Sequence, residues 1–128
     1  MEPPPLSDLD LNAAFSAMGN DREIYIEVLS AYLESFPLLM DELAAALHSN
    51  DLPTIIRCAH TIKSSSRAIG GSRIGATAEA LEHDAGLLSP YELSQRVAAI
   101  RLHADNLQKD LRAAGLIGQT GSGASAPE

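Results

Sequence analysis

Tyr25, Val28, Leu29, Tyr32, Phe36, Leu39, Leu43 and Leu47 recur at intervals of three and four residues, the spacing of one face of an α-helix. The pattern spans about residues 22–48 and keeps its phase across Pro37. One kinked helix is therefore expected rather than two, although proline removes a backbone donor and crowds the preceding turn. Four other stretches carry the same period. A short helix with Leu11, Ala14, Phe15 and Met18 is expected to begin near Ser7 or Asp8, either of which can cap it. Gly19-Asn20-Asp21 reads as a stop and a new cap, and Ser49-Asn50-Asp51 as the next turn, with Asp51 capping a helix over about 52–69. After Gly70-Gly71, Ser72 is the expected cap of a helix to about Ala85, closed by Gly86, with Ile74, Ala78, Leu81 and Ala85 inward. Ser89-Pro90-Tyr91-Glu92 joins a capping box to a first-turn proline and opens a helix to about Ala114, with Leu93, Val97, Ile100, Ala104, Leu107 and Leu111 as its stripe.

No stretch alternates with the period of a strand. The expected fold is all-α: an up-down-up-down four-helix bundle with a short additional helix at the N-terminus. Residues 1–6 read as a disordered lead, 7–114 as one helical domain, and the Gly/Ser/Ala-rich 115–128 as a flexible tail.

Composition narrows the class further. Aromatic residues are only 4% of the 128 and tryptophan is absent, so the core has to be aliphatic. The formal charge of 9 − 17 = −8 argues against nucleic acid as a partner, because a phosphate backbone requires a basic surface. No apolar run approaches the roughly 20 residues of a membrane span. Met1-Glu2-Pro3-Pro4-Pro5 has neither the basic start nor the apolar run of a signal peptide, and a cytoplasmic protein is expected. The single cysteine, Cys58, excludes an intramolecular disulfide and a cysteine-based zinc site, and a partly buried structural role is expected for it.

The candidate chemistry lies in the third helix. At roughly 100° per residue, Ile55, Ala59, Ile62, Ser66 and Ile69 gather on one side. His60, Lys63 and Arg67 share a neighbouring side, roughly 80–140° from the centre of that stripe. Arg57, Lys63, Arg67 and Arg73 all fall between Leu52 and Ala78, a window without Asp or Glu in an acidic chain. A histidine among cations and away from carboxylates is suited to meet an anion. It does not read as a general base, which wants an orienting acid. Ser66, inward by phase, is expected to bond back to the carbonyl of Ile62.

These residues resemble a family. Ala59-His60-x-x-Lys63-Ser64-Ser65-Ser66-x-x-Ile69-Gly70, followed by Leu81-Glu82 on the next helix, is similar to the histidine-containing phosphotransfer (HPt) domain. The resemblance implies a four-helix bundle whose exposed histidine takes a phosphoryl group from a receiver-domain aspartate and passes it to another receiver. It implies His60 as phosphoacceptor, Lys63 as phosphate stabiliser, and Ile56, Arg57, Ser64 and Arg67 as partner contacts. Response-regulator receivers or a hybrid histidine kinase are the implied partners, and a monomer is expected. The chain is expected to be a carrier rather than an enzyme, with no cofactor of its own and Mg²⁺ supplied by the receiver. Two positions depart from the pattern: Ser64 stands where many members have Gly, and Arg67 where many have Ala or Gly. Arg67 either reads an acidic receiver surface, which is the preferred expectation, or is a tolerated obstruction to docking.

Other readings start from the same residues. The chain fits a phosphoacceptor domain cut from a larger hybrid kinase, or a helical interaction module that works without phosphorylation. A small hydrolase would need His60 as base, with Ser64 as the only nearby hydroxyl. His48, His83 and His103 read as surface or helix-end residues. Glu82 and Asp84 flank His83, but side chains one apart do not face each other on a helix. The acidic patches at Asp41-Glu42 and Glu79 to Asp84 read as solvated helix faces, and no metal site is expected.

Overall fold

Short polar side chains set most of the helix starts. In a computed structural model that describes residues 8–118, Asp21 accepts the backbone N–H groups of Glu23 (2.9 Å) and Ile24 (3.2 Å) and opens a helix over Arg22–Ser49. Asp51 accepts from Thr54 at both its backbone (3.2 Å) and its hydroxyl (2.6 Å) and opens Leu52–Ala68. Ser89 and Glu92 close a reciprocal capping box ahead of Pro90–Ala113. Each such cap contributes about 1 kcal/mol. With Leu11–Ala17 and Ser72–Asp84, and a 3-10 turn at Ala85–Leu87, they make an all-helical chain, with no strand among the described residues. The helices are α1 (Leu11–Ala17), α2 (Arg22–Ser49), α3 (Leu52–Ala68), α4 (Ser72–Asp84) and α5 (Pro90–Ala113). Pro37 sits inside α2, which remains one helix.

α3 packs against α2 on one side and α4 on the other, and α5 packs against α4 and α2. The core is aliphatic as composition required: Leu29, Leu43, Ile55, Ile62, Ile74, Leu81, Ile100, Leu107 and Leu111 are all fully buried. Cys58 is also fully buried, and burial pushes its thiol pKa up. Leu116, just beyond Gly115 and its positive φ of 74°, is buried as well. The proposed lead at residues 1–6 and positions 119–128 of the tail lie outside the described residues.

Two helix starts differ from expectation. α1 is capped by Asp10, which accepts from the N–H of Ala13 (3.2 Å), not by Ser7 or Asp8. Ser7 is outside the described residues, and Asp8 is drawn inward instead. Only 6% exposed, Asp8 places Oδ1 3.0 Å from His103 Nδ1 and Oδ2 3.9 Å from Arg73. α4 begins at Ser72 with Gly71 as its cap and no side-chain bond. The two-glycine connection is too short to leave Ser72 outside the helix: Gly71 N–H already donates to Ser66 O at 2.7 Å. Gly70 does more than end α3. Its φ is +93°, its carbonyl accepts the N–H of Asp10 at 2.7 Å, and a Cβ there would lie 2.5 Å from Asp10 O. Only glycine lets α1 close on this turn.

Buried hydroxyls tie α3 to α2. Tyr25 donates its hydroxyl to Ile69 O at 2.7 Å, and the Tyr32 hydroxyl lies 2.9 Å from Ser66 Oγ. Ser66 therefore bonds across to α2, not back to Ile62. A buried phenol with no partner would carry the full desolvation cost, whereas the pair satisfies both groups at once. Burial pushes both tyrosine pKa values up to about 12. Ser66→Ala should lower stability by about 1–3 kcal/mol in urea denaturation, because Tyr32 then keeps an unmatched hydroxyl. Tyr32→Phe should cost less, since Ser66 can turn back to its own helix, and in the Ser66→Ala background it should be nearly neutral. A neutral Ser66→Ala would show that the pair contributes nothing.

Candidate phosphotransfer site on the third helix

Helical phase places His60 on the outer side of α3, where its side chain is 59% exposed. The ring is not free of carboxylates. Glu82, from the facing side of α4, sets Oε2 2.9 Å from His60 Nδ1 and Oε1 2.9 Å from Lys63 Nζ. One carboxylate thus spans two side chains one turn apart. The acid-free window holds along the sequence but not in space, because α4 and α2 bring acids to Lys63, Arg67 and Arg57, and Asp8 lies beside Arg73. Arg67 Nη2 pairs with Glu79 Oε1 at 2.8 Å, and Arg57 pairs with Glu42. Within the patches read as solvated faces, Glu42, Glu79 and Glu82 are counter-charges of α3. The expectation of a histidine away from carboxylates is corrected accordingly.

These contacts shift the acids. The hydrogen bond from Lys63, with a smaller one from His60, holds the Glu82 carboxyl below the usual carboxylate range. Arg67 does the same to Glu79. Glu82 is therefore ionised at neutral pH and can only accept, so Nδ1 of His60 must carry the ring proton. In the neutral ring Nε2 then keeps its in-plane lone pair, on an exposed side chain. Lys63 is only 20% exposed, with its ammonium drawn onto Glu82.

The small residues around the histidine keep their hydroxyls to themselves. Thr61 donates to Arg57 O (3.1 Å), Ser64 to His60 O (3.1 Å) and Ser65 to Thr61 O (2.8 Å). Each bonds the carbonyl one turn back, which satisfies the group and leaves a low surface. Of the expected partner contacts, Arg57, Ser64 and Arg67 are exposed and Ile56 is half-buried. The stem of Arg67, however, lies against Gly75 of α4, so this side chain runs along the neighbouring helix.

This arrangement offers one nucleophilic nitrogen, oriented by an acid, with an ammonium one turn along. A family model for the Hpt domain matches residues 27–114, more than half of the chain. The chain belongs to the Hpt domain family. Neither the curated proteins nor the solved structures compared with it gave a match. Hpt domains serve histidine phosphotransfer in two-component signalling, as phosphocarriers that interact with receiver domains and kinases. Among the described residues of this Hpt domain, no helix is long and apolar enough to cross a membrane. No cluster of three or more His, Cys, Asp or Glu is arranged to hold a metal ion among those residues.

Glu82 is the residue that sequence reasoning passed over. Its signal was present, since Leu81-Glu82 belongs to the motif, but the pair was read as pattern rather than chemistry. His83 and Asp84 also differ from expectation: His83 Nδ1 lies 2.8 Å from Asp84 Oδ1 and its pKa is raised by that bond. Asp84 is the last residue of α4, directly ahead of the 3-10 turn at Ala85–Leu87.

The tautomer follows from Glu82 and is open to measurement. At neutral pH the ring ¹⁵N shifts of His60 should show Nδ1–H as the major neutral form. Glu82→Gln should shift the balance towards the Nε2–H form that an unconstrained imidazole prefers. Equal tautomer populations in both proteins would mean that Glu82 does not orient the ring.

Proposed function

We propose that His60 accepts a phosphoryl group from a receiver-domain aspartate and passes it to a second receiver. What supports this reading most directly is the Glu82 contact, which commits Nδ1 to the proton and leaves Nε2 exposed as nucleophile. In the proposed step the Nε2 lone pair attacks phosphorus, the P–O bond to the aspartyl carboxyl breaks, and the aspartate leaves as carboxylate. No proton has to move. The ring keeps Nδ1–H, becomes cationic as the N–P bond forms, and finds its counter-charge already in place at Glu82. Lys63 sits where its ammonium can leave Glu82 for the phosphoryl oxygens, stabilising them in transfer. Onward transfer is the same step reversed on another receiver.

The frame we propose is an up-down-up-down bundle of α2 to α5, within a domain of residues 7–114, with α1 across one end. The chain then works as a cytoplasmic monomer without a cofactor of its own. Mg²⁺ in the partner receiver would shield the phosphoryl oxygens. Ile56, Arg57 and Ser64 are its proposed receiver contacts. Whether the domain stands alone or forms part of a hybrid kinase, the chemistry at His60 is the same. The hydrolase reading has less to support it: an orienting acid is now present, but the Ser64 hydroxyl donates to the His60 carbonyl rather than to the ring.

Incubation with a receiver charged by acetyl phosphate and Mg²⁺ tests the assignment. The chain should acquire an acid-labile, alkali-stable label on His60. His60→Gln should abolish that label while the helical circular dichroism is retained. Label that persists in this variant, or maps to His48, His83 or His103, would sink the reading.

Lys63→Ala should slow single-turnover transfer by about tenfold or more, equivalent to about 1.4 kcal/mol of transition-state stabilisation. Its loss of stability should be modest, about 1 kcal/mol, because Glu82 keeps its bond to His60 and part of its access to water when the ammonium is removed. An unchanged transfer rate would reduce Lys63 to a partner of Glu82 alone.

A further inference from the structure

Arg67 is a long cation at a position two turns from His60, on the side of α3 that a partner approaches. It does not stand up from the helix. A Cβ built on Gly75 would lie 2.6 Å from Arg67 Cγ, 2.8 Å from Nε and 3.2 Å from Cδ, so the aliphatic stem lies directly on the bare backbone of α4. Gly75 is buried beneath it. One turn on, Glu79 takes the guanidinium at 2.8 Å, and that bond holds the Glu79 carboxyl below its usual range. Gly75 supplies the space and Glu79 the anchor, at the i and i+4 positions that share a helix face.

Every cation beside His60 is compensated in a similar way: Arg57 by Glu42, Lys63 by Glu82 and Arg67 by Glu79. Between them lie Thr61, Ser64, Ser65 and Ala68, small and uncharged. A partner descending on His60 therefore meets a low, electrically balanced surface.

Building on the phosphotransfer reading, we propose that Gly75 and Glu79 form a cradle that lays Arg67 along α4 and withholds its charge from the docking face, making the Arg67–Gly75–Glu79 set a determinant of which receivers dock. The receiver it admits carries an uncharged contact patch opposite position 67, rather than the acidic patch that an outstretched arginine would select. An arginine released onto such a receiver would have to be desolvated without a partner, and specificity rests on penalties of this kind.

Gly75→Ala is the direct test, because the new methyl occupies the bed and dislodges Arg67 without altering any charge. Alanine is the better helix former, so α4 is retained. The donor is the isolated receiver domain, from a panel charged with acetyl phosphate and Mg²⁺, that labels the wild type fastest. With it, Gly75→Ala should slow transfer by about tenfold, in line with the effect of misplaced interface charge. In the Arg67→Ala background the same substitution should have no effect. Labelling of His60 by phosphoramidate, a small donor that needs no docking, should be unchanged by Gly75→Ala. The Arg67 Nε–H resonance, ordered in the wild type, should move to the position of a free guanidinium.

A released Arg67 resonance with receiver transfer still at the wild-type rate would overturn the proposal. So would an equal slowing by Gly75→Ala with and without Arg67, which would make glycine a packing requirement only. Failure of both donors to label His60 in the wild type would instead sink the phosphotransfer reading, and this inference with it.

Discussion

The reach of one carboxylate between two helices governs the site. Glu82 bonds His60 and Lys63 together at 2.9 Å each, which requires α3 and α4 to lie close along their whole contact. α4 packs closely on α3, with the small side chain of Ala78 fully buried. Were α4 held further off by larger side chains, Glu82 would face water. The histidine would then be an ordinary exposed imidazole, with its tautomer unspecified and Lys63 unanchored. The chemistry at His60 thus depends on backbone packing several residues away.

That packing is itself held by polar groups inside an aliphatic core. Tyr25 and Tyr32 of α2 reach the Ile69 carbonyl and the Ser66 hydroxyl, fixing the rotation of α3 and hence the side on which His60 emerges. Hydrophobic burial alone would tolerate some rotation, because it is non-directional. Hydrogen bonds between buried groups do not tolerate it, since a small turn of the helix would leave two of them unpaired. At the far end, Gly70 performs a similar service for α1, whose Asp10 N–H it accepts. The position that reads as a helix stop is also a docking point for the N-terminal segment.

Much of this was legible along the chain. The period of apolar residues determined the five helices, and Asp21, Asp51 and the Ser89–Glu92 box determined three of their starts, because a cap acts within a few residues of itself. The match to the Hpt family was legible for the same reason: His60, Lys63 and Gly70 lie on one local motif. Helical phase also put His60 and Lys63 on adjacent outer positions. The acid-free window around them was a true property of the sequence and a misleading one about charge, because an ion pair is set by distance in space rather than along the chain.

What only the tertiary structure decided is therefore everything that needs two helices. Glu82 on His60, Glu79 on Arg67, Glu42 on Arg57, Ser66 on Tyr32 and Asp8 beside His103 each join residues at least a dozen positions apart. No periodicity reports which faces will meet or how closely. Gly75 illustrates the division. By sequence it is a small residue that permits close approach, and its neighbour is unspecified. In the fold it lies beneath Arg67, where the bare backbone of α4 leaves room for that stem.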